Sequence, residues 1–258
     1  MQTKVPFLFK SLTQATRQAS TKQTKYYSPS NPPVDPMIIT VALTGNMPTR
    51  EMNPNVPLTA EDISSNIQEC YEAGARVFHI HARGPDLKPT PELNAFRRIA
   101  KLAKEKCPDA ILQLSTGGRS GGTLPHQRWD IIRLCPEMGS FCTGSNNLAK
   151  IIYMNSPEFV NQLAQIYKDC GVKPEIECFD HAHIDNAIFL MNIGLLDAPV
   201  HFNFVTNTAG GIAGTVKNIC HMRDSIPVGS TFSVCGIGKK QASIVAATIA
   251  MGGYYFAF

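Results

Sequence analysis

Eight short β-prone runs recur along the chain, each parted from the next by residues with helical spacing, and no other feature narrows the fold as far. The runs cover 37–43, 77–83, 111–115, 138–142, 175–180, 200–205, 230–235 and 254–258. Between them lie helix signals. Thr59 with Asp62 three residues on reads as an N-terminal cap, Ile63, Ile67, Cys70 and Tyr71 supply an apolar stripe, and Gly74 stops it. Leu93, Phe96, Ile99 and Leu102 repeat the pattern over 91–106, and further helices are expected over 126–134, 157–170, 181–193, 216–223 and 241–251. Such alternation argues for a parallel sheet, and eight units in one domain argue for an α/β fold of the (β/α)8 TIM-barrel type. Catalytic groups of these barrels sit at the C-terminal ends of the strands, which gathers Thr44, His79, His81, Ser115, Ser140, Glu177, Asp180, Asn207 and Lys239 around one mouth.

Composition fits one large domain. The 258 residues suffice to bury a full core, and the longest late apolar run, 244–251, falls short of the roughly 20 residues a membrane span needs. The net charge of +4 is unevenly spread: residues 1–34 hold no Asp or Glu but carry Lys4, Lys10, Arg17, Lys22 and Lys25 among Ser, Thr and Gln. With Phe7, Leu8, Phe9 and Leu12 able to form an apolar stripe, this leader reads as an organelle transit peptide, taken as mitochondrial with the protein in the matrix and 35–258 as the catalytic domain; a disordered basic tail with no address is the plainer alternative. The body is then near neutral, so no nucleic-acid surface and no membrane span is expected. The eight cysteines form no C-x-x-C and read as small buried hydrophobes in a reducing compartment.

On a strand, alternate side chains share a face, so His79 and His81 point one way while Phe78, Ile80 and Ala82 point the other. Two imidazoles on one face suit a divalent metal; a polar strand end facing water is the plainer alternative. The glycine-rich turn 116–122 either offers backbone N–H groups to an anion or is simply a flexible turn. His181 and His183 form a second His-x-His that could reach the same mouth, and Asp180 is either a carboxylate ligand or a helix cap.

Several segments, in order, resemble the β-keto acid cleavage enzymes, the group typified by 3-keto-5-aminohexanoate cleavage enzyme. They are Ala42-Leu43-Thr44-Gly45, His79-Ile80-His81-Ala82-Arg83, Ser115-Thr116-Gly117-Gly118, Pro136-Glu137-Met138, Pro174-Glu175-Ile176-Glu177 and Val234-Cys235-Gly236-Ile237-Gly238. The resemblance implies a zinc-dependent barrel that condenses a β-keto acid with acetyl-CoA and releases acetoacetate and a new CoA thioester. It implies that His79 and His81 are metal ligands, that Ser115 and Lys239 are catalytic, and that Thr44, Met47, Gly117, Gly118, Ser140 and Glu177 bind substrate. Lys239 stands where the family usually has Arg, and Ser140 where it often has Thr. Met47 occupies the place of a Glu in the member acting on an aminated substrate, so a β-keto acid with a neutral or apolar tail is expected. The family's third ligand, a Glu after the eighth strand, and the Asp beside it would fall beyond Phe258. The chain is therefore expected to be a C-terminally truncated barrel lacking its last helix region, in an assembly that is a homo-oligomer. Two other readings are a non-catalytic remnant binding metal or acyl-CoA-like ligands, and a metal-dependent aldol-type lyase that needs no acetyl-CoA.

Overall fold

The alternation of apolar and polar side chains along the strands decides how this chain closes on itself. The structure, a computed structural model, describes residues 36–117, 123–149 and 151–257. The leader and Gly118 lie outside the described residues. Strands β1 (Ile39–Ala42), β2 (Val77–Ile80), β3 (Ile111–Leu114) and β4 (Met138–Cys142) alternate with helices α1 (Ala60–Glu72), α2 (Leu93–Lys106) and the short α3 (Pro125–Trp129). A hairpin of β5 (Asn146–Leu148) and β6 (Ile151–Tyr153) follows, then α4 (Pro157–Cys170), β7 (Lys173–Cys178), α5 (His181–Asn192), β8 (His201–Thr206), α6 (Val216–Ser225), β9 (Thr231–Gly236), α7 (Gln241–Ala250) and β10 (Tyr254–Ala257).

All strands but the hairpin pair in parallel in the closed order β1-β10-β9-β8-β7-β4-β3-β2. The ring is completed where Ile39, Thr40 and Val41 of β1 face Tyr255, Phe256 and Ala257 of β10. This is the expected (β/α)8 barrel.

One parity of each strand points out to the helices. Phe78, Ile80, Leu112 and Leu114 pack with Ile63, Ile67, Phe96 and Ile99 on one side, while Phe141, Ile176, Phe202, Phe204 and Val234 pack with Leu163, Tyr167, Ile184, Ile219 and Ile244 on the other. Each of the buried phenylalanines Phe78, Phe141, Phe202 and Phe204 contributes on the order of 2–3 kcal/mol. The other parity is unusually polar: Thr40, His79, Gln113, Ser140, Glu175, His201, Asn203 and Ser233 are all buried in the ring. The apolar core thus lies between sheet and helices, and the lumen is a hydrogen-bonded interior.

Helix signals read correctly in most places. The Thr59 hydroxyl accepts from Asp62 N at 3.1 Å and Asp62 Oδ2 accepts from Thr59 N at 3.2 Å, the reciprocal cap. Ser156 caps α4, and Gly171 ends it at φ 64°. The expected helix over 126–134 is instead α3 followed by a 3₁₀ turn, Ile132–Leu134, ending at Cys135 with φ 52°. Pro136 bars helical geometry at the residue before it, and the chain tightens and turns there. The hairpin was not anticipated; its strands of three residues are too short to carry a pattern.

Gly139 sits where β4 touches α4, and an added Cβ would lie 2.4 Å from Tyr167 Oη and 2.5 Å from Ile132 Cδ1. Gly139→Ala should lower the unfolding free energy by about 1–3 kcal/mol in urea titrations, since both neighbours are buried and Tyr167 Oη is held by a hydrogen bond to Ser140 O at 2.8 Å.

Candidate metal-binding and active site

His79 and His81 lie at the C-terminal end of β2, where the register sets His79 beside Gln113 of β3. The His79 ring is 3% exposed, and its Nδ1 is 2.6 Å from Gln113 Oε1. A carbonyl oxygen only accepts, so Nδ1 carries the hydrogen and Nε2 keeps its lone pair. That lone pair is aimed at His81 Nε2, 3.0 Å away. Burial holds the His79 pKa below its ordinary value, against the opposing effects of the Glu175 charge and the Gln113 hydrogen bond. A neutral imidazole with a directed lone pair is the form in which histidine binds metals.

Across the lumen, β7 presents Glu175 and Glu177, and one ligand atom from each lies with one from His79 within a mutual 4.8 Å. Glu175 is 1% exposed. Its Oε1 accepts from Asn203 Nδ2 at 3.3 Å, and its Oε2 is 3.4 Å from His201 Nε2. Burial alone would raise its pKa, but hydrogen bonding and charge from His201, then the His79 charge and Gln113, leave it below the ordinary carboxylate value. Nitrogen and carboxylate oxygen donors converging in a mostly buried lumen fit a divalent cation, so the donor set passes the test of its chemistry.

The loop after β3 completes the mouth. Gly117 N donates to Ser115 Oγ at 3.2 Å, Thr116 N donates to Ser140 Oγ at 3.1 Å, and Arg128 Nε donates to Thr116 O at 2.8 Å. A shallow cavity lined by Asn46, His81, Thr90, Ser115, Gly117 and Arg128 opens beside them. Space at Gly117 is limited: an added Cβ would be 3.2 Å from Ser115 Oγ and 3.6 Å from His81 Cε1. Arg83 Nη2 donates to Gly45 O at 2.8 Å and Pro48 O at 3.1 Å, tying the loop after β1 to the end of β2.

Of the residues singled out in the sequence, His79, His81, Ser115, Gly117 and Glu177 therefore come together at one end of the barrel. Others are engaged elsewhere. The Thr44 hydroxyl donates to Pro57 O at 3.0 Å, and Ser140 Oγ accepts from Thr116 N, so both help to set loop geometry. Met47 is 65% exposed in the loop after β1, and Lys239 is exposed in the turn after β9. His183 Nδ1 accepts from Phe179 N at 3.1 Å, which makes it a turn-fixing core residue. His181 faces α6, its Nε2 2.6 Å from Ser225 Oγ and its ring stacked on His221. Asp180 takes the cap position of α5, but its side chain makes no capping hydrogen bond. Gln113, Glu175, Arg83 and Asn46 were not picked out as site residues. Gln113 had a signal, a lone amide in the apolar run Ile-Leu-Gln-Leu at the lumen parity, and Glu175 shares its parity with Glu177.

The profile of the beta-keto acid cleavage enzyme family matches residues 36–255. A 3-keto-5-aminohexanoate cleavage enzyme of Fusobacterium nucleatum is 38% identical over 222 residues, covering 86% of this chain and 80% of that protein. A 3-oxoadipate:acetyl-CoA acetyltransferase of Cupriavidus necator is 33% identical, covering 85% of this chain and 78% of that one. Among solved structures, ObcA in binary complex with oxaloacetate superposes with a TM-score of 0.69 at 22% identity, over 80% of this chain and 57% of ObcA, a likeness of fold.

Burial keeps both His79 and His183 below the ordinary histidine pKa. The unfolded chain therefore takes up protons that the fold refuses, so their contribution is complete above about pH 6.5 and is lost as the pH falls below it. Chemical unfolding of metal-free protein should show stability declining as the pH falls from about 6.5 to 5.5, by up to about 1.4 kcal/mol per pH unit for each histidine; a flat profile, or one in which stability rises as the pH falls, contradicts the assignment.

Proposed function

The chain belongs to the β-keto acid cleavage enzyme family, and from that premise we propose that it is an acyltransferase-type enzyme that condenses a β-keto acid with acetyl-CoA and releases acetoacetate and a new CoA thioester. The observation that carries this reading is the His79 Nε2 lone pair presented beside His81, opposite the carboxylates of β7. The printed name of the Cupriavidus necator relative, an acetyl-CoA acetyltransferase acting on 3-oxoadipate, supports acetyl-CoA as co-substrate.

In this proposal His79 and His81 hold zinc, with a carboxylate of β7 close by. Zinc bound there supplies Lewis acidity, which lowers the cost of enolate-like charge on a chelated β-keto acid. The protein's own groups do the positioning. Ser115 Oγ accepts from the Gly117 N–H, which leaves its hydroxyl proton free to donate to a substrate oxygen as negative charge develops. Glu177, half-buried and at the lumen parity, borders the reacting end of the substrate. Lys239 offers a single flexible charge for a carboxylate, where an Arg would offer a fork. Arg83 and Ser140 fix the loops after β1 and β3 that frame the cavity. Met47 beside the mouth gives a substrate cation no partner, which favours a neutral or apolar tail.

The same proposal places the enzyme in the mitochondrial matrix as a homo-oligomer built on the domain 35–258; the acid-free leader is the support for the compartment. Among the described residues no helix is long and apolar enough to cross a membrane.

Incubating the zinc-loaded protein with acetyl-CoA and a panel of β-keto acids should yield acetoacetate and CoA thioester in equal amounts, and neither product without acetyl-CoA. His79→Ala and His81→Ala should each lower kcat/KM at least about a hundredfold. Product without acetyl-CoA would indicate a lyase, and bound metal without any turnover would indicate a binding protein. Met47→Glu should raise kcat/KM for a substrate with a cationic tail relative to one with an apolar tail; an unchanged ratio removes Met47 from specificity.

A further inference from the structure

Arg128 is a buried cation that directs every nitrogen of its fork to the loops at the mouth. It projects from α3, and its Nε donates to Thr116 O at 2.8 Å, its Nη1 to Met154 O at 2.8 Å and its Nη2 to Asn155 Oδ1 at 2.6 Å. The guanidinium carbon lies 4.1 Å from the centre of the Phe159 ring and 5.1 Å from that of Tyr153. These aromatic faces offset part of the cost of burying its charge. Asn155 is fixed in turn, its N donating to Ser145 Oγ at 2.8 Å and its Nδ2 to Gly144 O at 2.9 Å. The side chain thus ties the loop after β3 to the chain leaving β4 and to the chain leaving the hairpin.

We propose that Arg128 is a positioning residue that sets the peptide between Thr116 and Gly117, so that its N–H meets Ser115 and the Ser115 hydroxyl hydrogen is left for the substrate. The Thr116 carbonyl and the Gly117 N–H are the two ends of one planar peptide and point opposite ways. Arg128 grips the first, and the second donates to Ser115 Oγ at 3.2 Å. Thr116 is held on its other side as well, its N donating to Ser140 Oγ at 3.1 Å and its Oγ1 to Ser140 O at 2.7 Å. Those bonds fix the residue but not the peptide that follows it. Glycine at 117 tolerates φ of either sign, so this peptide could turn over, the same change that interconverts the two common turn types. Overturned, it would present the Thr116 oxygen to Ser115 in place of the N–H. A hydroxyl hydrogen rotates to the acceptor it finds, so Ser115 would donate inward and offer the mouth only a lone pair. The bond to Arg128 Nε opposes that turn, because the Thr116 carbonyl is buried and no water replaces a charged donor there. Lys could carry the charge but not the three directed bonds. The use of the Ser115 hydrogen rests on the reaction proposed above, whereas the setting of the peptide does not.

Amide hydrogen exchange, followed by NMR on the metal-free protein, reads the Gly117 N–H directly. Arg128→Lys should speed exchange at Gly117 at least about tenfold, the worth of one lost hydrogen bond, with the amides of β2, β3 and β7 unchanged. Asn155→Ala withdraws the acceptor of Nη2 and should act in the same direction; it serves where Arg128→Lys does not fold. Exchange at Gly117 that stays at the wild-type rate, or that rises no more than at the strand amides, overturns the inference. A double-mutant cycle on the zinc-loaded enzyme, with acetyl-CoA and a β-keto acid that it turns over, tests the link to Ser115. Arg128→Lys and Ser115→Ala should each lower kcat about 10–100-fold, and the double variant should be no slower than the slower single one, since both changes disable the same device. Additive losses would show that Arg128 acts other than through Ser115 and overturn the link. A wild type without turnover counts against the reaction proposed above, and exchange at Gly117 then decides this inference alone.

Discussion

The hydrogen bond from His79 Nδ1 to Gln113 Oε1 is the interaction on which the chemistry of this barrel depends. It exists because two neighbouring parallel strands put a histidine and a glutamine at paired positions on the lumen side. The pairing follows from the closed ring, in which each strand must show its apolar parity to the helices and its other parity to the interior. A slip of one residue in β2 would turn Phe78 and Ile80 into the lumen and both histidines into the helix layer. The cost of burying those polar rings among aliphatic side chains forbids it. The requirement that fixes the register is thus the same one that assembles the site.

Filling a lumen with polar groups is expensive unless nearly every donor and acceptor is answered. Here His201 meets Thr231 and Ser233, Asn203 meets Glu175, and Gln113 meets His79, while Gln113 Nε2, Glu175 Oε2 and Asn203 Oδ1 are left without a hydrogen-bond partner among the described residues. Glu175 supplies the one buried carboxylate in this row, and its negative charge lies close to the place where a cation would sit. Charge compensation of that kind lets a metal be held in a low-dielectric interior by neutral imidazoles.

Much of this was legible in the sequence, and the limits have physical causes. All eight barrel strands could be read because each is a bounded β-prone run, and the parity of His79 and His81 followed from strand geometry alone. Pro136 should have warned that the helix over 126–134 could not run through to residue 135. The hairpin around Asn146 and Tyr153 had no readable period. Thr44 and Ser140 read as substrate groups because a hydroxyl at a strand end looks the same whether it meets a ligand or a backbone group; in the fold Thr44 donates to the Pro57 carbonyl and Ser140 accepts from the Thr116 N–H. The roles of Gln113 and Glu175 depend on which residues face each other across a closed ring, and a single sequence does not record that alignment.

The two carboxylates of β7 show how one strand divides its labour. Glu175 and Glu177 share a parity, so both point into the lumen, but they lie two residues apart along the strand and hence at different depths. Glu175 sits at the level of His201, closed off from water and held by Asn203 and His201 of β8. Glu177, nearer the C-terminal end and half-buried, stands at the level of the mouth, where strand ends meet the loops. Depth therefore separates a fully enclosed carboxylate from one that stands where strand ends meet the loops. The same rule separates Gln113 from Ser115 on β3, two residues apart, one fully enclosed beside His79 and the other beside the open cavity. In a parallel barrel all strands run the same way, so moving two residues along any of them passes one layer of the lumen nearer the mouth, and His79 to His81 is that same step on β2.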